Sequence, residues 1–363
     1  MTEPTAVRAQ TLTGKLAPEA FARLIAPHLG LARPEVLVGP AAGRDAAIVR
    51  AGAGRVLALS SDPLSVIPAL GLARSAWLAC HLIASDVWTT GIPPAYASVE
   101  FHLPPQFDDA ALAEYARAMS EAWEGLGVAV VTGHTGRYAE TAGGAVQLLG
   151  SATLVGVGDE GRYVTPAMAR PGDVVIVTKG CAIETAAIAA ALIPERLRTV
   201  LDEESLGRLR ALEKEVSVVA DCRAAVRAGV RDHGVTAMHD ATEGGVLGAL
   251  VELAMACGHD VRIERSKLHV APEVRAACEV LGVDPYCTLS EGALLVCARP
   301  ERAPFVLGEL DEDGIHAAVV GEVLEGNGRL WIAEADGKVT TLDAPPADPY
   351  WPAYARAVRE GWR

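Results

Sequence analysis

The spacing of apolar residues along the first half of the chain predicts an alternation of helices and strands. Apolar positions recur every three or four residues over 17–29 and 107–126, which indicates two amphipathic helices. The stretch 77–88 is apolar almost all round and predicts a buried helix. Short apolar runs followed by glycine, proline or aspartate indicate strands. These runs lie at 36–49, where a loop separates two strands, and at 55–59, 128–131 and 144–157.

The second half repeats this alternation with longer helices and predicts a layered α/β domain. The 363 residues exceed the usual size of one core, so we predict two domains, at 1–160 and 161–343. A proline-rich connector and a short terminal helix occupy 344–363. The fold class is therefore α+β. The predicted strands of the second half are 173–180, 260–264, 290–297, 317–323 and 330–333, and the predicted helices are 183–192, 194–212, 216–228, 272–281 and 305–310.

The stretch Gly234–Gly258 combines a strand, a Gly-Gly turn and an apolar helix, which is the layout of an anion site. The first backbone N–H groups of the helix, at Gly244 and Gly245, can hold a phosphate without a basic side chain. Asp240 and Glu243 stand beside them and would repel that phosphate unless a divalent cation lay between. This conflict predicts a phosphate bound together with Mg²⁺.

The charge balance and the cysteines narrow the range of functions. There are 46 acidic and 32 basic residues, a net charge of −14, and this argues against nucleic-acid binding. Seven cysteines without a Cys-x-x-Cys pair indicate reduced thiols. No apolar run reaches membrane-spanning length, and the N-terminus lacks the apolar core of a signal peptide. We expect a soluble cytoplasmic protein with no membrane partner.

Three further aspartates lie after strand-like runs or within an otherwise uncharged apolar stretch. Asp45 and Asp62 each follow a strand-like run, where an isolated aspartate is usually a turn former. Asp86 is the only charged residue between 75 and 99, so we expect it to be partly buried with a partner. That partner is either Arg74, as a salt bridge, or a metal ion.

Two loops carry weaker signals. The segment Gly133-His134-Thr135 follows a predicted strand and offers a close backbone approach, an imidazole and a hydroxyl. A single histidine in a loop is more often only solvated. Lys179, beside Gly180, is either a phosphate contact or an ordinary exposed lysine at a strand end.

Taken in order, these motifs resemble the aminoimidazole ribonucleotide synthetase-like superfamily, which includes selenophosphate synthetases and thiamine-monophosphate kinases. The resemblance covers about residues 14–330 and is closest to HypE-like hydrogenase maturation factors. It is carried by Gly14-Lys15, the run beginning at Val36 and the four aspartates, the last of which opens the Asp-Ala-Thr-Glu-Gly-Gly box at Asp240. The Gly133-His-Thr segment lies between Asp86 and Asp240, and the segment that begins at Ser290 follows them. The order of several motifs is far more specific than any one of them.

The resemblance implies ATP and Mg²⁺ as cofactors and a homodimer in which the N-terminal sheets of two subunits form a barrel. ATP would lie in a cleft between the domains, its phosphates bridged by Mg²⁺ to aspartates. This favours the metal as the partner of Asp86. The implied metal ligands are Asp45, Asp62, Asp86 and Asp240; the implied catalytic residues are Asp45, Asp240 and His134; the implied nucleotide contacts are Asp62, Gly133, Thr135, Thr242, Gly244 and Gly245.

The sequence departs from the family pattern at two points. HypE-like factors carry their substrate on a C-terminal cysteine, where a carbamoyl group is dehydrated to a cyano group. This sequence ends Glu360-Gly-Trp-Arg363, so we expect that reaction not to proceed here in its usual form. Arg44 stands where many relatives have an acid before the matched aspartate, and it either removes one metal contact or supplies a phosphate contact. The leading hypothesis is an ATP- and Mg²⁺-dependent phosphoryl transfer to a small or protein-carried substrate. The alternative is a nucleotide-binding or scaffold protein without turnover.

Overall fold

Two mixed β-sheets organise the computed structural model, which describes residues 14–138 and 147–363. Long apolar runs supply the inner strands, and glycine and proline mark many of their ends. The strands are β1 (Val36–Val38), β2 (Ala47–Gly52), β3 (Arg55–Val66), β4 (Pro94–Leu103), β5 (Ala129–Arg137), β6 (Gln147–Asp159), β7 (Val174–Thr178), β8 (Val235–Asp240), β9 (Asp260–Glu264), β10 (Leu294–Ala298), β11 (Ala317–Leu324), β12 (Leu330–Ala333) and β13 (Val339–Leu342).

Helices cover the sheets and connect the strands. Several begin or end at predictable residues: Asp108 caps one N-terminus, and glycines with positive φ at 127, 258 and 282 end three C-termini. The α-helices are α1 (Pro18–Leu24), α2 (Gly71–Trp88), α3 (Asp109–Leu126), α4 (Ile183–Leu192), α5 (Pro194–Leu197), α6 (Glu203–Ala211), α7 (Val219–Arg227), α8 (Gly245–Cys257), α9 (Pro272–Leu281), α10 (Ala303–Glu312) and α11 (Tyr350–Arg359).

The first sheet has the order β1-β2-β3-β6-β4-β5, with β5 at an edge and parallel to β4. The long antiparallel pair β3 and β6 forms its centre. One row of paired residues runs from Asp62 on β3 through Ala152 and Val99 to Gly133 on β5. The two ends of this row are three strand spacings apart, which is about 14 Å at ~4.8 Å per spacing.

The second sheet has the order β13-β12-β9-β11-β7-β10-β8. Strand β8 lies at its edge, and its six residues are all buried although only one neighbour, β10, pairs with it. The last residue of β8 is Asp240, opposite Leu294. The edge strand therefore ends with a carboxylate at the boundary between the two halves of the chain.

Helix α2 packs against both halves. It covers β3 and β6 of the first sheet, and it also contacts α7 and β8 from the second half. The Ser85 hydroxyl accepts a hydrogen bond from the Val218 backbone N–H (3.2 Å), and His81 Nδ1 lies 2.8 Å from the Ser217 hydroxyl. These contacts explain why α2 is apolar on nearly every side, and they hold Asp86, one turn from its end, at the boundary.

Most predicted elements are present, and the differences have local causes. The first helix ends at Leu24 instead of Leu29, because Pro27 cannot supply an N–H to continue it; Ala26–His28 form a 3₁₀ turn. Its apolar face is exposed at Leu24 and Ile25. Strands β4 and β13 lie where the sequence pattern predicts no strand. The strand predicted from Gly144 begins outside the described residues and continues as β6.

Two predicted positions are corrected by the structure. Lys179 is not a free strand-end lysine: its ammonium donates to the backbone oxygens of Glu215 and Ser217 and to the Asp221 carboxylate, at 2.8–2.9 Å. It therefore holds the start of α7 and has no donor left for a phosphate. Asp62 lies within β3, four residues before the strand ends, because β3 extends well beyond the predicted Leu59.

None of the helices in the described part of the chain is both long and apolar enough to span a bilayer.

Candidate functional site

A close approach between the two halves brings Asp45 to the second sheet. Gly43 has a φ of +70°, and a Cβ at this position would lie 2.5 Å from the backbone oxygen of Glu252 on α8. Only glycine fits both constraints. The loop between β1 and β2 therefore lies directly on α8, and Asp45, two residues further on, reaches the end of β8.

A buried histidine joins Asp45 to α8. His239 is completely buried; its Nδ1 lies 2.7 Å from Asp45 Oδ2, and its Nε2 lies 3.2 Å from Glu252 Oε2. Burial alone would lower the pKa of His239, but the Asp45 and Glu252 carboxylates raise that pKa to about 10. The ring therefore carries a proton on both nitrogens and bridges two acids.

Asp240 follows this histidine and is the least satisfied acid of the site. Its side chain is fully buried, and neither carboxylate oxygen has a hydrogen-bond partner among the described residues. Burial and then the Asp45 carboxylate raise the pKa of Asp240 to about 7, against the opposing effect of His239 and Lys15. One ligand atom each from Asp45, His239 and Asp240 lies within 4.8 Å of the others.

Asp86 and Asp62 approach from the first half. The Ser60 hydroxyl donates to Asp86 Oδ2 at 2.6 Å. Burial, followed by the Asp62 and Asp240 carboxylates, raises the pKa of Asp86 well above its usual range. Burial likewise raises the pKa of Asp62 to about 6, although Lys15 and a hydrogen bond with Asp86 oppose it. Four aspartates therefore act electrostatically on one small region.

The salt bridge considered for Asp86 is absent. The Arg74 guanidinium pairs with Glu213 instead, in a bidentate contact outside this region. The Arg44 guanidinium contacts a backbone oxygen, since its Nη1 donates to the Gly39 carbonyl at 3.1 Å.

Lys15 is the basic side chain that reaches the acids. Its ammonium donates to the Thr242 hydroxyl at 2.9 Å and lies 3.9 Å from Glu252 Oε1. Burial would lower the pKa of Lys15, but the carboxylates of Glu252, Asp45 and Asp240 together raise it. A single ammonium and one imidazolium do not balance these acids.

The side chains present fit Mg²⁺, the ion that the family resemblance implies. Carboxylate oxygens are the protein ligands that Mg²⁺ prefers, and the Asp240 carboxylate is buried without a partner. A buried carboxylate without a hydrogen bond or counter-ion costs several kcal/mol by common estimates. Asp45 and Asp240 lie close enough together to share such an ion, and the family resemblance implies Asp62 and Asp86 as the further ligands.

The turn before α8 is already occupied by a side chain. Asp348, from the segment leading into α11, accepts a hydrogen bond from the Gly244 N–H at 2.9 Å, and the Gly245 N–H donates to the Thr242 carbonyl. Glu243 accepts from the Trp351 indole at 3.4 Å. A phosphate at the predicted Gly244–Gly245 cradle would therefore have to displace the Asp348 carboxylate.

The segment Gly133-His134-Thr135 is in strand β5 and not in a loop. His134 is exposed, and its Nε2 lies 2.7 Å from the Tyr138 hydroxyl. Because Gly133 is three strands from Asp62 in the sheet, the structure does not bring this segment to the aspartates within one chain.

Sequence reasoning missed His239, Glu252 and Asp348. The dipeptide His239-Asp240 at the end of a buried strand was a signal for the first. Glu252 lies seven residues into α8 and resembles any polar position in an apolar helix. Asp348 is more than 100 residues from Gly244, so only the fold reveals their contact.

Comparison with known proteins identifies the family of this chain. The chain matches the N-terminal domain of AIR synthase related proteins over residues 43–157 and the C-terminal domain over 170–332. It is 30% identical over 275 residues to carbamoyl dehydratase HypE of Escherichia coli (strain K12), covering 73% of this chain and 75% of that protein. This chain belongs to the AIR synthase related family. The resemblance inferred from its motifs is confirmed, including its HypE-like character.

A second HypE sequence and three solved structures are also similar to this AIR synthase related chain. Carbamoyl dehydratase HypE of Rhizobium leguminosarum bv. viciae is 31% identical over 249 residues, which are 68% of this chain and 67% of that protein. A HypE–HypF complex superimposes with a TM-score of 0.67 at 22% identity, covering 84% of this chain and 94% of the other. HypE in complex with ATP superimposes with a TM-score of 0.64 at 23% identity, covering 92% of this chain and 94% of the other. AaThiL complexed with AMPPCP and TMP superimposes with a TM-score of 0.63 at 22% identity, covering 84% of this chain and 90% of the other.

Two further buried acids, Glu184 and Glu291, interact with each other, and Glu291 also interacts with Asp240. Glu184, in the first turn of α4, accepts a hydrogen bond from the Glu291 backbone, and burial raises its pKa to about 8, with Glu243 and Asp348 adding to the effect. Burial and then Asp240 raise the pKa of Glu291 well above its usual range. One oxygen of each side chain has no partner among the described residues.

Glu184 predicts a pH dependence of stability. The folded protein keeps its proton up to about pH 8, and the unfolded chain keeps it only up to the ordinary value of 4.5. Stability present below pH 4.5 is therefore lost as the pH rises towards 8. The substitution Glu184→Gln should make the free energy of unfolding fall less between pH 5 and pH 8, measured by urea denaturation. Exposed Glu312→Gln should keep the wild-type slope; equal slopes in E184Q and wild type would contradict the assignment.

Proposed function

We propose that this protein is an ATP-dependent enzyme that transfers a phosphoryl group to a small or protein-carried substrate, with Mg²⁺ held by Asp45, Asp62, Asp86 and Asp240. Membership of the AIR synthase related family supports the use of ATP, since HypE and AaThiL relatives have structures with ATP and AMPPCP. The observation that carries the proposal is the buried Asp240 carboxylate, which faces Asp45 without a partner of its own.

The chemistry divides between the ion and the chain. When bound, Mg²⁺ offsets the charge of the ATP phosphates and of the transition state. Asp86 and Asp62 hold their side of the site through the rigid α2 and β3, with Ser60 orienting Asp86. Lys15 supplies an ammonium within the same region, suited to a phosphate oxygen once it leaves Thr242.

We also propose nucleotide contacts at the turn before α8 and on strand β5. Gly244, Gly245 and Thr242 would receive a phosphate if Asp348 moved away from the turn. Gly133, His134 and Thr135 lie at the sheet edge, so their part in catalysis depends on a nucleotide or a second subunit that bridges the distance.

Removing one metal-holding carboxylate should weaken nucleotide binding. We expect Asp86→Asn and Asp240→Asn each to weaken Mg²⁺-ATP binding about 100-fold, which corresponds to about 2.8 kcal/mol. Isothermal titration calorimetry measures this directly. Exposed Asp311→Asn, on α10, is the matched control and should bind as wild type does. Unchanged binding in both D86N and D240N, or no binding by wild type, contradicts the proposal.

The substrate can be identified as the metabolite that the protein consumes in the presence of ATP and Mg²⁺. Purified protein incubated with ATP, Mg²⁺ and a pool of small metabolites can be followed by mass spectrometry for the metabolite consumed. Binding without turnover is the second candidate function, and the contact between Asp348 and Gly244 favours it, because it fills the predicted phosphate cradle. Release of ADP or AMP that depends on an added substrate would exclude this second candidate.

We also propose that the protein is a homodimer joined through the first sheet. Strand β5 is an edge strand, and the apolar residues Tyr96, Val130 and Val131 are exposed on β4 and β5. Val131→Lys should therefore reduce the mass measured by light scattering from twice the chain's 37.8 kDa to that of one chain. Val339→Lys, exposed on the edge strand β13, should leave the dimer intact. A wild-type protein of single-chain mass contradicts the proposal.

A further inference from the structure

We propose that the proline-rich connector at 344–349 is an autoinhibitory strap, whose Asp348 carboxylate blocks the anion-binding turn before α8 until a ligand displaces it. The ligand class is a phosphate-bearing molecule that arrives with its own divalent cation. This inference rests on the proposed function, because it concerns access to the same site. It goes beyond that function by giving the C-terminal segment a regulatory role.

The turn before α8 offers a backbone donor that the helix itself cannot use. Gly244 has a φ of +82° and stands at the N-cap position of α8, so its N–H has no acceptor within the helix. The Gly245 N–H already donates to the Thr242 carbonyl. The positive end of the helix dipole adds to the attraction for an anion at this point. Asp348 Oδ2 accepts from the Gly244 N–H at 2.9 Å and is therefore the anion that the turn holds in this structure.

The strap also fills the space beside this turn. A Cβ built on Gly244 would lie 3.1 Å from the Pro346 carbonyl oxygen, and one built on Gly248 would lie 3.9 Å from Pro346 Cδ. The strap backbone is therefore in van der Waals contact with the start of α8. A tetrahedral phosphate is larger than a carboxylate and cannot enter beside it. Binding of a phosphate to the Gly244 N–H consequently requires the strap to move.

The electrostatics of the contact allow a ligand to replace it. Burial raises the pKa of Asp348, and the Glu243 carboxylate adds to this effect, against the hydrogen bonds from Tyr350 and Gly244. The Asp348 charge is therefore less stable at the turn than in water. Asp348 brings no cation to offset the surrounding acids, whereas a phosphate bound to Mg²⁺ does. We therefore expect the metal–nucleotide complex to displace the Asp348 carboxylate.

The strap can move while the helix that follows it stays in place. Three of the six strap residues are prolines, which have no N–H to hold the backbone. Helix α11 is anchored, because Tyr350 is 2% exposed and packs in one cluster with Ile67 and Leu70 of the first half. The Tyr350 N–H donates to Asp348 Oδ1 at 2.7 Å, so the strap meets the fixed helix at this residue. Release of the turn therefore changes the strap and leaves α11 packed.

The experiment compares Mg²⁺-ATP binding by wild type and by Asp348→Ser, measured by isothermal titration calorimetry on the full chain. Serine can still accept from the Tyr350 N–H as a helix cap, but it is shorter and uncharged. We expect D348S to bind at least about tenfold more tightly, which corresponds to about 1.4 kcal/mol. Asp336→Ser, exposed between β12 and β13, is the matched control and should bind as wild type does.

A second variant separates the strap from a simple effect of charge. Glu243→Gln removes one negative charge at the same turn, yet its amide oxygen can still accept from the Trp351 indole, and Asp348 stays in place. We expect E243Q to gain much less affinity than D348S. Equal gains in the two variants would mean that only charge matters and would overturn the inference, as would wild-type or weaker binding by folded D348S.

The motion can also be followed in the wild-type protein, because the Trp351 indole donates to Glu243 Oε1 beside the turn, at 3.4 Å. The protein is labelled with 5-fluorotryptophan, and the Trp351 signal is assigned with Trp351→Phe. Saturating Mg²⁺-ATP should shift the ¹⁹F resonance of Trp351, and ligand-free D348S should be shifted in the same direction. An unchanged resonance in ATP-bound wild type contradicts the inference. Failure of wild type and D348S alike to bind Mg²⁺-ATP would refute the proposed function as well, whereas binding with equal affinity would refute this inference alone.

Discussion

The burial of the Asp240 carboxylate is the constraint on which the rest of the site depends. It ends an edge strand at the boundary between two sheets, with no water-facing surface and no hydrogen-bond partner among the described residues. Burying an ionised carboxylate is unfavourable unless a cation or several donors accompany it. The neighbouring Asp45 carboxylate makes the burial still less favourable. Buried acids with a strongly raised pKa are concentrated at functional sites, which is why we propose a cation at this position.

Both halves of the chain contribute to this arrangement through rigid elements. Helix α2 contacts both sheets and holds Asp86, while the approach of Gly43 to α8 brings Asp45 beside His239. Lys15 and His239 supply part of the compensating charge in the described structure. A cation bound among these acids would stabilise the folded protein by mass action.

Local patterns predicted most of the fold, and long-range contacts account for what they missed. The helices at 183–192 and 272–281 were predicted with their observed bounds because proline, glycine or a clear apolar period marks them. Asp240 stood out as an acid beside a Gly-Gly turn. His239 did not, because successive residues of a strand face opposite sides, and only the fold shows that the loop carrying Asp45 lies against it. Asp348 was also missed, because its hydrogen-bond partner Gly244 is 104 positions away in the sequence.

We propose that aspartates of the two halves hold one divalent cation next to a nucleotide. An anomalous difference map from crystals grown with Mn²⁺ and a non-hydrolysable ATP analogue tests this most directly. We expect a manganese peak within bonding distance, about 2.0–2.4 Å, of Asp240 and of at least one acid from the first half. A bound analogue with its metal elsewhere, or no manganese peak beside Asp240, would contradict it.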